Sequence, residues 1–497
     1  MHKLAAQTSL AALLLALTGC ASGPDYLRPT LSLPAHWFAG AAPTPPEAAA
    51  TTAALPDWRE YFPDARLQAL IAEALEYNRD LRIATAHIAE ARALYGIERS
   101  TKLPELELFG KREASLTPAD LNMLGRPLTV QRYDVGFELL NYELDFWGRV
   151  RRLDEAALAS YLASEEAQRA FRLSLIADVA NAYFSQCELR ERVRLAREIA
   201  DNRGEVAKLS EQRRQAGLIG SMEYLKVAAA HEAARNDVAA LEQSRAAADH
   251  WLQLLTGKLV ANREEAEKAL PAGRSLNEQN LARIAANLPA EVLLHRPDVL
   301  AAEQRLIAAN ADIGAARAAF LPRITLTGAL TTASSGLSHL FESGSRAWLF
   351  KPQVRLPLFN NGRNEANVDL AEARKNIAVA EYEKTIQQAF REVADLLAAR
   401  DQLGEQLRAQ EANQRIQDER TRLMEARYQA QISHYLEVLD ARRDLQAAEQ
   451  GVLQARRSLL ANAAQLYKAL GGGKAAELPA VPAIAAAPVA PAAAAVE

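Results

Sequence analysis

Residues 296–328 read RPDVLAAEQRLIAANADIGAARAAFLPRITLTG, and residues 78–110 read NRDLRIATAHIAEARALYGIERSTKLPELELFG. Asp298, Gly314, Pro322 and Gly328 match Asp80, Gly96, Pro104 and Gly110 at a constant offset (298 − 80 and 322 − 104 both give 218). Each copy predicts a long amphipathic helix that ends at Leu-Pro and passes into a short alternating strand. A duplicated helix-to-strand unit points to a symmetric closed assembly rather than to a catalytic centre.

Working outward, four segments alternate apolar and polar residues, near 105–113, 131–142, 323–332 and 346–357. Tyr133, Val135, Phe137 and Leu139 interleave with Arg132, Asp134, Gly136 and Glu138; Trp348, Phe350, Val354 and Leu356 interleave with Lys351, Gln353 and Arg355. Period two gives one apolar and one polar face, which at this strand length is the pattern of a membrane barrel with lipid outside and water inside. Polar loops at 114–130 and 331–346 then project to one side, the extracellular one. An open sheet edge cannot sit in lipid, because each unpaired backbone group costs several kcal/mol, and bacterial barrels have at least about eight strands. Four strands per chain therefore require a barrel shared between protomers. Two chains would give eight strands and a filled interior; three would give twelve and a water-filled lumen.

The stretches 150–215 and 364–430 contain no proline and are rich in Ala, Leu, Glu and Arg, which predicts two very long helices. Leu173, Ile176, Ala180, Tyr183 and Cys187 step by three and four, a coiled-coil-like seam that is expected to fade near residue 190. The fold expected is mainly α with a membrane β-barrel, internally duplicated. Its divisions are 63–270 (first repeat) and 271–475 (second repeat), preceded by an extended segment at 20–62.

The 497-residue chain carries a net charge of −4, which gives no electrostatic reason to bind nucleic acid. Cys20 and Cys187 are the only cysteines and define neither a disulfide framework nor a zinc site. The eight histidines have no metal spacing, no His-Glu-x-x-His occurs, and Gly471-Gly472-Gly473-Lys474 lacks the remaining parts of a phosphate loop. No enzyme, catalytic residue, metal site or cofactor is expected. At the N-terminus, Lys3, the apolar run Leu10–Leu17 and Leu17-Thr18-Gly19-Cys20 resemble a bacterial lipoprotein signal. That resemblance implies removal of residues 1–19 and acylation of Cys20, and Ala21 after the cysteine implies an outer-membrane destination. Residues 476–497, rich in Ala, Pro and Val, have no period that could pack a core and are expected to form a flexible tail.

Several longer motifs resemble the bacterial outer-membrane factor family, the TolC/OprM/NodT-like channels. They are Gly23-Pro24-Asp25-Tyr26 with Arg28-Pro29, Trp58–Asp80, Tyr142–Arg152, Leu294–Gly328, Pro357–Arg363 and Tyr428–Arg443, in the family's order. The resemblance implies a homotrimer whose shared 12-stranded barrel continues as a long periplasmic α-helical barrel. It implies passive export of drugs or other small toxic compounds delivered by an inner-membrane RND-type pump and a periplasmic adaptor protein. It also implies contact with outer-membrane lipid and a lipid-anchored outer-membrane location spanning into the periplasm. Within that class a type I protein-secretion duct or a heavy-metal exporter is the alternative. The lipoprotein signal weighs against the first, and the absence of a Met or His relay weighs against the second.

By the same resemblance the periplasmic end closes with coiled helices and acidic rings. Glu437 and Asp440, three residues apart on one helix face, are the expected ring, with Glu223 at the corresponding tip of the first repeat. Tyr428 stands where the family ties the closed tip to a neighbouring helix. Ser433 departs from the pattern, since TolC-type members carry an arginine there. In a trimer such carboxylates would favour cations and divalent ions at the throat.

Overall fold

The computed structural model of the chain describes residues 23–30, 34, 37, 56–123, 125–258, 271, 273–279, 281 and 290–473. Cys20, the signal segment and the 476–497 tail lie outside these residues. Among the described residues, twelve α-helices and β-strands run in the order α1 (Trp58–Tyr61), α2 (Ala65–Tyr77), α3 (Arg79–Ser100), β1 (Leu106–Thr117), β2 (Leu128–Glu143), α4 (Arg149–Gln215), α5 (Ser221–Thr256), α6 (Pro297–Ala318), β3 (Arg323–Ser334), β4 (Arg346–Arg355), α7 (Arg363–Gln429) and α8 (Tyr435–Ala469). Helix α3 maps onto α6 at the offset of 218, and α4 and α7 are both 67 residues long.

The chain forms two compact units. The first takes the described residues within Met1–Trp37, Arg79–Arg172 and Ala290–Glu392. It contains an antiparallel sheet in the order β1-β2-β3-β4. The ladder between β1 and β2 runs to Thr117↔Leu128, so the first loop is shorter than the expected 114–130. Ala114, Ser115 and Thr129 do not alternate by polarity, yet backbone pairing needs no side-chain pattern. Near the other end of β2 the register shifts between Leu139 and Tyr142, with Asn141 at φ +49°. This is a bulge whose left-handed residue is of the type that tolerates it.

Helix α6 buries Val299, Leu306 and Ile313 together with Ala301, Ala302, Ala308, Ala311 and Gly314. Its small residues let the start of α4 approach closely, through Ala156 and Ala159 against Ala308 and Ala311. The N-terminal strap lies on α6. A side chain on Gly23 would come within 2.6 Å of the Gly314 Cα. Asn310 Nδ2 donates to the Pro24 carbonyl at 3.0 Å. Arg28 grips Glu303 with two hydrogen bonds of 2.6 Å while Tyr26 Oη donates to it at 3.0 Å. Helix α3, equivalent in sequence, buries only Leu81 and Ile88 and leaves Ile83, Leu94 and Ile97 exposed.

The second unit takes the described residues within Phe38–Asn78, Leu173–Pro289 and Val393–Glu497. Ile176, Ala180, Tyr183 and Cys187 are all buried, and the seam continues past residue 190 through Val193, Ala196 and Ala200. Alanines sustain it where the sequence turns rich in Arg and Glu. The buried carboxylate of Asp64 caps α2 by accepting from Arg66 N at 2.9 Å. It also accepts from Tyr183 Oη at 2.8 Å, Gln279 Nε2 at 2.5 Å and Arg274 N at 3.1 Å. Burial pushes this carboxyl up, but the donors outweigh burial and hold it below the usual carboxylate range. One charge thus ties α2, α4 and the segment 274–279.

Candidate functional site

The expected gate residues fall in the second unit, on two helix hairpins. Helices α4 and α5 are joined by residues 216–220, and α7 and α8 by 430–434. Both turns close with the same two bonds. Leu218 N donates to Arg213 O at 2.8 Å and Gly217 N to Arg214 O at 3.0 Å; Ile432 N donates to Arg427 O and Gln431 N to Tyr428 O, each at 2.9 Å. This is the helix-ending arrangement in which the residue past the cap is left-handed. That residue is Gly217 at φ +73° in the first turn and Gln431 at φ +58° in the second.

Glu223 and Glu437 occupy the first turns of α5 and α8. There a carboxylate is favoured by the helix dipole. Both are exposed, and neither side chain forms a hydrogen bond or ion pair among the described residues. Asp440 lies one turn further on, exposed, with Arg443 at 3.4 Å. Glu437 and Asp440 therefore project together from the second hairpin, while Glu223 belongs to the first. Tyr428 packs its ring on Tyr435 of its own hairpin at 5.1 Å. Burial raises the Tyr435 phenol above its usual range. Ser433 Oγ is buried without a hydrogen-bond partner, so no side-chain link replaces the family's arginine at that position.

The links that hold the second hairpin lie deeper along it. Arg420 reaches Asp444 at 2.8 Å and Arg442 reaches Glu425 at 2.6 Å, while the Thr421 hydroxyl, 2.8 Å from the Gln417 carbonyl of its own helix, also lies 3.2 Å from the buried Ala441 carbonyl across the hairpin. Arg420 first, then Arg443, holds the Asp444 carboxyl below its ordinary range. Sequence reasoning missed these residues. Their signal is positional: a hairpin that folds about residues 432–433 brings together positions at roughly equal distances from it on either side. Near the first tip the charges pair within one helix. Glu211 bonds Arg214 at 2.7 Å, and that contact, followed by Gln215, lowers its carboxyl to about 2. Arg214 also lies over the Tyr224 ring at 5.2 Å. Between α4 and α8 a groove opens, lined by Ile199, Arg203, Val206, Tyr435, Leu439 and Arg442.

Known proteins share this architecture. The family described as "Outer membrane efflux protein" matches residues 70–258 and 288–472. Outer membrane protein OprJ of Pseudomonas aeruginosa is 41% identical over 466 residues, covering 93% of this chain and 95% of that protein. The toluene efflux pump outer membrane protein TtgF of Pseudomonas putida is 42% identical over 468 residues, covering 93% and 96%. The open state of the Neisseria gonorrhoeae MtrE outer membrane channel aligns with a TM-score of 0.81 at 37% identity, covering 91% of this chain and 98% of that one. The fold is that of these channels, mainly α with four strands per chain for a membrane β-barrel. The chain belongs to the outer membrane efflux protein family, whose members are channels in the outer membrane.

Proposed function

We propose that three copies of this chain form the outer-membrane channel of a tripartite efflux pump, fed by a periplasmic adaptor and an inner-membrane RND-type pump. Its cargo would be small toxic amphiphiles such as drugs or solvents. The observation that carries the reading is the sheet of four strands with two unpaired edges and one apolar face. Such a sheet is stable in lipid only when neighbouring copies close it. The exposed Ile83, Leu94 and Ile97 on α3, where the matching face of α6 is buried, support a partner copy beside it. Transport through such a tunnel needs a throat rather than a catalytic group. Within the chain, residues 63–270 and 271–475 would act as paired repeats, each giving one hairpin strand pair and one tip.

Acylation of Cys20 would anchor the N-terminus in the outer membrane, and the strap at Gly23 on α6 would follow directly from it. Incorporation of labelled palmitate, lost in Cys20→Ser, is the expected result.

The gate we assign is the second hairpin's tip, with Glu437 and Asp440 as the acidic rim, Tyr428 bracing it through Tyr435, and Glu223 adding to the rim from the first hairpin. In planar bilayers, Glu437→Ala with Asp440→Ala should raise leak conductance and weaken block by divalent cations. Unchanged conductance and block would remove these carboxylates from the throat. Heat-modifiable migration as a trimer tests the shared barrel separately; a subunit that inserts alone would overturn it.

A further inference from the structure

The strand registers sort every side chain of the sheet onto one of two faces. One face carries Leu106 and Leu108 of β1, Phe137 and Leu139 of β2, Leu330 of β3, and Trp348 and Phe350 of β4. The charged residues Glu107, Lys111, Glu113, Arg132, Asp134, Glu138 and Lys351 all fall on the other face. There Lys111 meets Glu113 at 2.7 Å and Arg132 meets Asp134 at 2.8 Å. Two cations break the sorting. Arg112 pairs across with Tyr133, and Arg346 pairs with Thr332, which places both on the apolar face. Both are exposed, and neither side chain forms a hydrogen bond or ion pair among the described residues. Arg112 stands over the Tyr133 ring at 5.7 Å. Arg346 is two residues from Trp348, which is 76% exposed.

The neighbours cannot supply a counter-ion from their strands. No Asp or Glu falls on the apolar face of any of the four strands, including the edge strands β1 and β4 that a further copy would pair with. In the adjoining loops the Glu342 carboxylate is engaged by His339 Nδ1 at 2.7 Å, and Asp120 lies on the short turn Ala119–Leu121 without an ion pair to either arginine among the described residues. Both arginines also lie toward one end of the sheet, the end whose strands are joined by the short segments 118–127 and 335–345. At the opposite end the strands connect to α3, α4, α6 and α7. An arginine beside Tyr and Trp at the rim of an apolar band is placed for a headgroup boundary. Its planar fork suits a phosphate bidentately.

Resting on the barrel reading above, we propose that Arg112 and Arg346 form a cationic collar on the lipid-facing wall that binds the phosphate groups of the outer-leaflet glycolipid. Closing the sheet would set Arg346 of one copy on the strand beside Arg112 of the next, so each seam between copies carries one such pair. The helix-bearing end faces the periplasm, so the loop end, where the arginines stand, meets the outer leaflet.

The test uses the full-length channel purified in detergent and titrated with lipopolysaccharide, with bound glycolipid read by native mass spectrometry. Wild type should bind it, and Arg112→Gln with Arg346→Gln should weaken binding at least tenfold, with each single variant intermediate. Lys351→Gln on the polar face should leave it unchanged. Dephosphorylated glycolipid should bind wild type as weakly as phosphorylated glycolipid binds the double variant. Equal binding by wild type and the double variant would overturn the collar. Equal affinity for phosphatidylglycerol, or full displacement by millimolar inorganic phosphate, would overturn the glycolipid assignment. Heat-modifiable migration of the same wild-type sample reports the barrel independently, and its absence would remove the collar together with the barrel.

Discussion

The two tip hairpins share a backbone and differ in what their side chains do with it. Their turns sit at a constant offset of 214 (435 − 221 and 431 − 217), with equal length and the same closing hydrogen bonds. Glu223 matches Glu437 and Glu211 matches Glu425. Elsewhere the second hairpin carries side-chain links at positions where the first has alanine, while the first is crossed by Arg203 Nη1 donating to the Ala230 carbonyl at 3.1 Å and by Arg197 with Glu242 at 2.5 Å. Thr421, Arg442 and Asp444 stand at the positions of Ala207, Ala228 and Ala230, and Asp440 stands where the first hairpin has Lys226. Duplication preserved the turn geometry, because backbone bonds and a left-handed residue specify it. The cross-helix links and the charges near the tip were free to change, because the backbone bonds of the turn do not depend on them. The second hairpin thus has more cross-helix side-chain links close to its tip, and it presents two carboxylates, Glu437 and Asp440, where the first has Glu223 and Lys226.

The strongest way to break this contrast is to exchange the charge. Asp440→Lys gives the second tip the residue of the first and, over three copies, replaces three carboxylates by three ammonium groups. A charged ring of this kind sets ion preference. The reversal potential in a KCl gradient should change sign from cation-preferring toward anion-preferring, whereas Lys226→Asp should deepen the cation preference. A sign unaltered by Asp440→Lys would mean that the rim lies elsewhere.

A smaller effect is expected from unzipping. Arg420→Ala with Arg442→Ala removes two cross-helix ion pairs that face solvent and are individually weak. Together they should shift the closed-to-open ratio toward open by a few fold at most. Single-channel open probability measures it. Arg214→Ala in the first hairpin, which removes contacts confined to its own tip, should change open probability little; equal effects would erase the proposed division of labour.

Much of the fold was legible because it rests on periodicity. The helices α4 and α7 begin and end within a residue of the proline-free stretches, and the 218 repeat delivers α3 and α6 residue for residue. The strands were visible where residues alternate. They were missed at 114–117 and 128–130, where only backbone pairing defines them. At the tip, Glu437, Asp440 and Tyr428 were picked out by resemblance. The Arg420–Asp444 and Arg442–Glu425 links escaped because they depend on where the chain reverses, and the sequence carries no glycine at that point to mark it. Gln431 takes the left-handed position that Gly217 fills openly.

Acidification should separate the hairpins further. The Asp444 carboxyl is held below its ordinary range by Arg420 and Arg443. A depressed carboxylate contributes stability that is complete above the unfolded value, about 3.9 for Asp, and lost as pH falls through the folded value. Conductance controlled by the second hairpin should therefore be flat from about pH 5 to 8 and rise only below about 4. Asp444→Asn should abolish that rise by loosening the hairpin at every pH. A transition near pH 6.5 would instead implicate a histidine.

The smallest predicted difference is in the turns themselves. A residue with a side chain in the left-handed region costs about 1–2 kcal/mol, and replacing it by glycine returns about 0.5–1 kcal/mol of that as unfolded-chain entropy. Gln431→Gly should thus stabilise the second turn by a few tenths of a kcal/mol to about 1 kcal/mol. The amides of Gln431 and Ile432, which donate to Tyr428 and Arg427, should exchange with solvent up to about fivefold more slowly. Gly217→Gln should do the reverse at Gly217 and Leu218. If neither substitution alters exchange, the two turns are held by packing around them, and the left-handed residue is a consequence of the hairpin rather than one of its causes.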